Sequence, residues 1–144
     1  RIIMTIKEIQ NEIIDEFSMF DDWMQRYEYI IELGKSLPLI KEEYKTDENL
    51  IKGCQSKVWL QGEQNDDKIV FTADSDAILT KGIIAILIRA FSNQKAEDII
   101  NADTQFIDEI GLKEHLSATR ANGLVSMIKN IKMYALAFDS KNKN

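Results

Sequence analysis

Val58-Trp59-Leu60-Gln61 and Ile69-Val70-Phe71-Thr72 are short runs rich in β-branched and aromatic residues, separated by Gly62 to Asp67 with its Asn65-Asp66-Asp67. Two such runs around turn-forming residues read as an antiparallel hairpin. Their separation predicts a loop longer than the tightest type. Asp74-Ser75-Asp76 ends the second strand and offers side-chain acceptors to the start of a helix. That helix, about Ala77 to Phe91, is apolar on nearly every side, which places it at the buried centre of the fold.

On both sides of this hairpin-helix unit the chain reads as helix. Thr5 and Glu8 have the spacing of a capping box, and Ile6, Ile9, Ile13 and Phe17 recur on one face behind them. Asp21-Asp22 opens a second helix through Trp23, Tyr27, Ile30 and Ile31 to Gly34, a candidate left-handed stop, and Pro38 blocks continuation. Lys41 to Asn49 is polar without a clean period, a surface loop with Cys54 near its far end. After the central helix come a short helix around Ala96 to Asn101 and another from Thr104, capped by Asp103 and stopped by Gly111. A last helix from Ser117 carries Leu124, Met127, Ile128, Ile131, Tyr134 and Phe138, and Ser140 to Asn144 is a polar tail expected to fray. No repeat, low-complexity segment or linker divides residues 1–144. The expected class is α+β, one domain with a small antiparallel sheet flanked by helices. Met4 reads as the start residue, with Arg1 to Ile3 a remnant ahead of it.

The length of 144 residues, with 44% hydrophobic and 29% charged side chains, suits one globular core that needs no disulfide or metal to fold. A formal net charge of -6 and the absence of a basic block argue against a nucleic-acid partner. One cysteine excludes an internal disulfide, and one cysteine with one histidine argues against a metal site. The N-terminus lacks the apolar stretch of a secretory signal. Gly82 to Ile88, bounded by Lys81 and Arg89, is far shorter than the roughly 20 residues that span a bilayer. The expectation is a soluble cytoplasmic protein that binds no membrane.

Three features could carry chemistry. Cys54 reads either as a small buried hydrophobe or as a reactive thiol. Its neighbours Lys52, Gly53, Gln55 and Ser56 form no hydrophobic stripe, and a loop thiol beside polar donors is where a thiolate can be stabilised. The residues alone leave both readings open. Asp74 and Asp76 read first as helix caps and second as site or partner contacts. His115, in Lys113-Glu114-His115, reads as part of a solvated connector, or as the base of a Cys54 hydrolase pair. Arg120 lies in the first turns of a helix, where a cation gains nothing from the dipole, so it is a surface charge or it holds something specific.

Several blocks together resemble the SufE-type sulfur-acceptor proteins of iron–sulfur cluster assembly, including their CsdE-like paralogues. They are Arg26-Tyr27 with Ile30-Ile31-Glu32-Leu33-Gly34-Lys35 and Leu37-Pro38, then Ile51-Lys52-Gly53-Cys54-Gln55-Ser56-Lys57-Val58-Trp59. Asp74-Ser75-Asp76-Ala77 with Lys81-Gly82 follows, and Leu116-Ser117, Arg120, Gly123-Leu124 and Met127-Ile128 close the series. Lys95-Ala96 departs from the Thr-Pro helix start frequent in that family. The resemblance implies a SufE/IscU-like fold. It also implies that Cys54 takes sulfane sulfur as a persulfide from a SufS-type cysteine desulfurase, supported by Gly53, Gln55 and Ser56. The pyridoxal phosphate belongs to the desulfurase, and this chain carries no cofactor. The sulfur then passes to an iron–sulfur scaffold complex, and the acceptor stimulates its desulfurase as a monomer or homodimer. The cysteine loop with part of Lys41 to Asn49 is the expected partner surface. The alternatives are an allosteric desulfurase-binding module in which Cys54 is incidental, and the Cys54–His115 hydrolase.

Overall fold

The computed structural model describes residues 4–143. Its elements run α1 (Ile6–Phe17), α2 (Trp23–Gly34), β1 (Val58–Asn65), β2 (Lys68–Ser75), α3 (Ile78–Phe91), β3 (Gln94–Lys95), α4 (Ala96–Asn101), α5 (Gln105–Glu109), α6 (Leu112–His115) and α7 (Ala118–Asn142). The fold is α+β, as expected. Arg1 to Ile3, taken as a remnant ahead of Met4, and Asn144 lie outside the described residues.

β1 and β2 pair antiparallel from Val58↔Ser75 to Asn65↔Lys68, and β3 adds a short edge at Lys68↔Lys95 and Ile69↔Gln94. The turn is therefore Asp66 and Asp67 alone, with Asp66 at φ 58. This corrects the longer expected loop. Gly62 to Asn65 stay in the ladder because Asp66 takes the left-handed conformation, which aspartate tolerates better than most side chains. Val58, Leu60, Ile69, Phe71 and Ala73 alternate onto the buried face.

α3 packs on α1, α2, α7 and β2, and residues Gly82 to Ile88 are buried without a break. Where it crosses α2, Gly34 and Gly82 meet. A Cβ on Gly82 would stand 2.1 Å from the Ile30 carbonyl oxygen, and one on Gly34 would stand 3.0 Å from the Gly82 nitrogen. Gly34 is thus the last residue of α2 and serves the crossing. The cap after it, Lys35, is right-handed, so the expected left-handed stop is absent there.

Thr5 and Glu8 form their capping box, and the Asp22 carboxylate accepts the Gln25 N–H at 2.9 Å. α3 begins differently from expectation. Its N-cap is Ala77, with no side-chain cap, so Asp74-Ser75-Asp76 does not cap this helix. The strand β3 and the single-turn helix α6 were not anticipated, and α7 runs to Asn142, into the stretch expected to fray. Among the described residues no helix is long and apolar enough to cross a membrane.

Candidate functional site

The segment that carries Cys54 is a loop closed at its neck. The Ile51 N–H donates to the Val58 carbonyl at 2.8 Å, and Leu50 bridges to Trp59. Asp76 clamps the same neck from the other side. Its N–H donates to the Lys57 carbonyl at 3.2 Å, and its Oδ1 accepts the Lys57 N–H at 3.0 Å. The tripeptide's chief work is therefore to extend the hairpin register past its last ladder pair. Ser75 Oγ still accepts the Ala77 N–H at 3.2 Å.

Within the loop, Gly53 has φ 92, a conformation that a side chain would strain. The loop then rests on α7 at two positions one helical turn apart. Ser126 Oγ lies 2.6 Å from where a Gly53 Cβ would be, and Cys54 Sγ lies 3.3 Å from where a Gly123 Cβ would be. The Cys54 thiol donates to the Gly123 carbonyl at 3.7 Å. Around it opens a hollow of about 280 Å³, lined by Cys54, Gln55 and Ser56, by Thr80 and Ile83 of α3, and by Thr119, Arg120, Gly123 and Met127 of α7.

Burial pushes the half-buried Cys54 thiol above its ordinary pKa. Its hydrogen bond has sulfur as the donor. This differs from the expectation that polar neighbours stabilise a thiolate. Gln55 and Ser56 line the hollow, but at rest the group is a neutral thiol held against a carbonyl. Burial in this position therefore disfavours the nucleophilic thiolate.

The other singled-out residues separate. Arg120 comes to the hollow from the first turn of α7, where its N–H donates to Ser117 Oγ at 3.2 Å. Asp74 and Asp76 do not line it. Asp74 pairs with Lys45 at 2.7 Å and Lys81 at 3.4 Å. Burial would raise its pKa, but the Lys45 bond, the Ser75 N–H and the Lys81 charge outweigh that and hold the carboxyl below its usual range. Lys45, 5.5 Å from the Trp59 ring centroid and paired with Asp74, thereby fastens the Lys41–Asn49 segment to β1 and β2. His115 also lies outside the lining. Its ring stacks on Trp23 at 3.9 Å, its Nδ1 lies 3.1 Å from the Gly111 carbonyl, and its own carbonyl accepts from the Tyr27 hydroxyl. The Cys54–His115 pair that a hydrolase would need is not assembled.

Sequence reasoning gave no site role to Thr80, Gly123 or Ser126. Two of them left a signal. Thr80 is a polar residue at a buried position of the largely apolar α3. Gly123 sits inside a long helix, where glycine costs about 1 kcal/mol relative to alanine and suggests a close approach. Among the described residues, no group of three or more His, Cys, Asp and Glu is placed to hold a metal ion.

The fold and this geometry define a class: a small α+β protein with a single thiol on a clamped loop, over a hollow between two helices. Comparison with known proteins narrows it. Residues 11–135 match the family model SufE, described as an Fe-S metabolism associated domain. The chain is 45% identical over 130 residues to an uncharacterized SufE-like protein of Rhizobium meliloti (strain 1021), covering 87% of this chain and 93% of that one. It is 43% identical over 127 residues to an uncharacterized SufE-like protein of Rhizobium etli, covering 85% and 86%. Its fold is similar to the solution structure of a hypothetical protein from Thermus thermophilus. The TM-score is 0.75 at 14% identity, over 90% of this chain and 94% of that one. This chain belongs to the SufE family, and its role lies in iron–sulfur metabolism.

Proposed function

We propose that this protein is a sulfur acceptor for iron–sulfur cluster assembly, with Cys54 as the atom that is loaded. The observation that carries the reading is the placement of the chain's one thiol, on a loop clamped at its neck and resting over a hollow of about 280 Å³. In the transfer, the Cys54 thiolate attacks the terminal sulfur of a donor cysteine persulfide. The donor S–S bond breaks and its thiolate leaves, while a new S–S bond forms on Cys54 Sγ. The Cys54 proton goes to solvent and the departing donor thiolate takes one up, so no net oxidation occurs. The donor is a SufS-type cysteine desulfurase, which carries the pyridoxal phosphate. The protein stimulates that enzyme, passes its sulfur to a cluster scaffold, and works in the cytoplasm as a monomer or homodimer.

Gly53 gives the loop its turn, while Gln55, Ser56 and Arg120 border the space around the sulfur. Asp74 and Asp76 act indirectly, by fixing the neck of the loop and the Lys41–Asn49 segment beside it. That segment, with the loop, is the surface that meets the desulfurase.

Incubation with the desulfurase and cysteine is expected to add the mass of one sulfur to the protein, reversed by mild reduction. Cys54→Ser should take up none, and equal uptake by that variant would sink the reading. If the protein instead only activates the desulfurase allosterically, Cys54→Ala keeps full stimulation once a small-molecule reductant removes the sulfur.

A further inference from the structure

The geometry points to Gly123 as the positioning residue for Cys54: the side chain missing from α7 at that point is what lets the thiol seat against the helix. The inference takes its meaning from the reading of Cys54 as the sulfur acceptor, but its test needs no sulfur donor.

A Cβ at Gly123 would lie 3.3 Å from Cys54 Sγ, 3.7 Å from its Cα and 3.8 Å from its Cβ. The first distance is shorter than carbon and sulfur ordinarily keep, and all three contacts fall on one residue of the loop. The carbonyl of Gly123 itself accepts the thiol's hydrogen bond. Gly123 thus supplies both the space and the acceptor. One turn further on, Ser126 covers Gly53, so the loop meets α7 through two glycines, one on each partner. Nothing else asks for glycine at 123. It lies within a regular helix, with no positive φ, where alanine is intrinsically the better residue.

The consequence is directional. A methyl group at 123 crowds the seated loop and leaves an unseated loop untouched, so it shifts the balance toward the exposed thiol. Among the described residues the only charged side chain lining the hollow is Arg120, and the shift in the thiol's pKa has burial as its cause. Unseating should therefore bring the thiol back toward its ordinary range.

The test is the rate of Cys54 alkylation by iodoacetamide in the full chain, followed against pH, with equilibrium unfolding measured alongside. Gly123→Ala is expected to react at least about threefold faster at pH 7, a change in seating equilibrium of at least about 0.65 kcal/mol. Its titration midpoint should move down, and its unfolding midpoint should hold or rise. An unchanged or slower rate overturns the proposal. So does acceleration with a lowered unfolding midpoint, since a loosened fold would do as much. If Gly123→Ala does not fold, the decision passes to Ser126→Val, which crowds Gly53 from the same face. Acceleration in that folded variant supports the proposal, and its absence overturns it. Failure here leaves sulfur uptake by Cys54 standing, whereas failure of uptake leaves the alkylation result unaffected.

Discussion

Two places in this molecule bring the backbone of one element against another through glycine, and they differ in what stands opposite. At the α2–α3 crossing, a Gly82 Cβ would strike the Ile30 carbonyl at 2.1 Å, and that carbonyl belongs to a rigid helix. At the loop–α7 contact, a Gly123 Cβ would meet the Cys54 side chain at 3.3 Å, and that side chain belongs to a loop clamped at its neck and resting on α7. The first contact cannot yield without moving two helices, while the second yields by letting one loop go. Close packing against regular structure sets the fold, and the same packing against a loop sets a conformational preference.

Gly82→Ala should cause the largest effect, a loss of at least about 3 kcal/mol or outright unfolding, read from denaturant melts. Near-parental stability there would break the contrast. Gly34→Ala, whose Cβ would stand 3.0 Å from the Gly82 nitrogen, should cost about 2 kcal/mol on the same measurement.

A third test uses the ion network that ties α1, α2 and α3 together on the rigid side. Arg89 bonds Glu16 at 2.5 Å and Glu12 at 2.5 Å, and Glu16 also accepts from the Tyr29 hydroxyl. The Arg89 bond, outweighing burial, holds the Glu16 carboxyl below its usual range. Its stabilising contribution is therefore complete above the ordinary glutamate pKa and is lost as pH falls through the depressed one. Glu16→Gln should cost about 1.5 kcal/mol at pH 7 and flatten the acid limb of the stability curve. An unaltered acid limb would remove Glu16 from the account. Burial and the Glu16 contact push Tyr29 up to about 12, so stability should also fall as pH climbs from the ordinary tyrosine range toward that value. The smallest stability effect belongs to Gly123→Ala, from no change to a gain of about 1 kcal/mol, with the change appearing in thiol reactivity.

Much of the architecture was legible because it depends on short-range chemistry. The capping box at Thr5 and Glu8, the Asp22 cap, the apolar run of α3 and the spacing along α7 each express preferences of a few neighbouring residues. The hairpin was legible in kind and not in register. With the turn taken as longer than Asp66-Asp67, there was no way to count outward and find that Lys57 faces Asp76 and Trp59 faces Asp74. That lost register is why Asp74-Ser75-Asp76 read as helix caps. β3 escaped notice because two residues carry no periodicity, and its strand character comes from pairing with Lys68 and Ile69.

By itself, then, the sequence determined the α+β class, most of the helices and the identity of the one thiol, since composition and local periodicity encode these directly. It also carried the resemblance that the family match bears out. Only the tertiary structure decided what surrounds the thiol. Thr80, Gly123 and Met127 line one hollow with Cys54 from distant parts of the chain, so their juxtaposition is a property of packing. The raised pKa of Cys54 follows from the same cause, because burial by residues distant in sequence disfavours its thiolate.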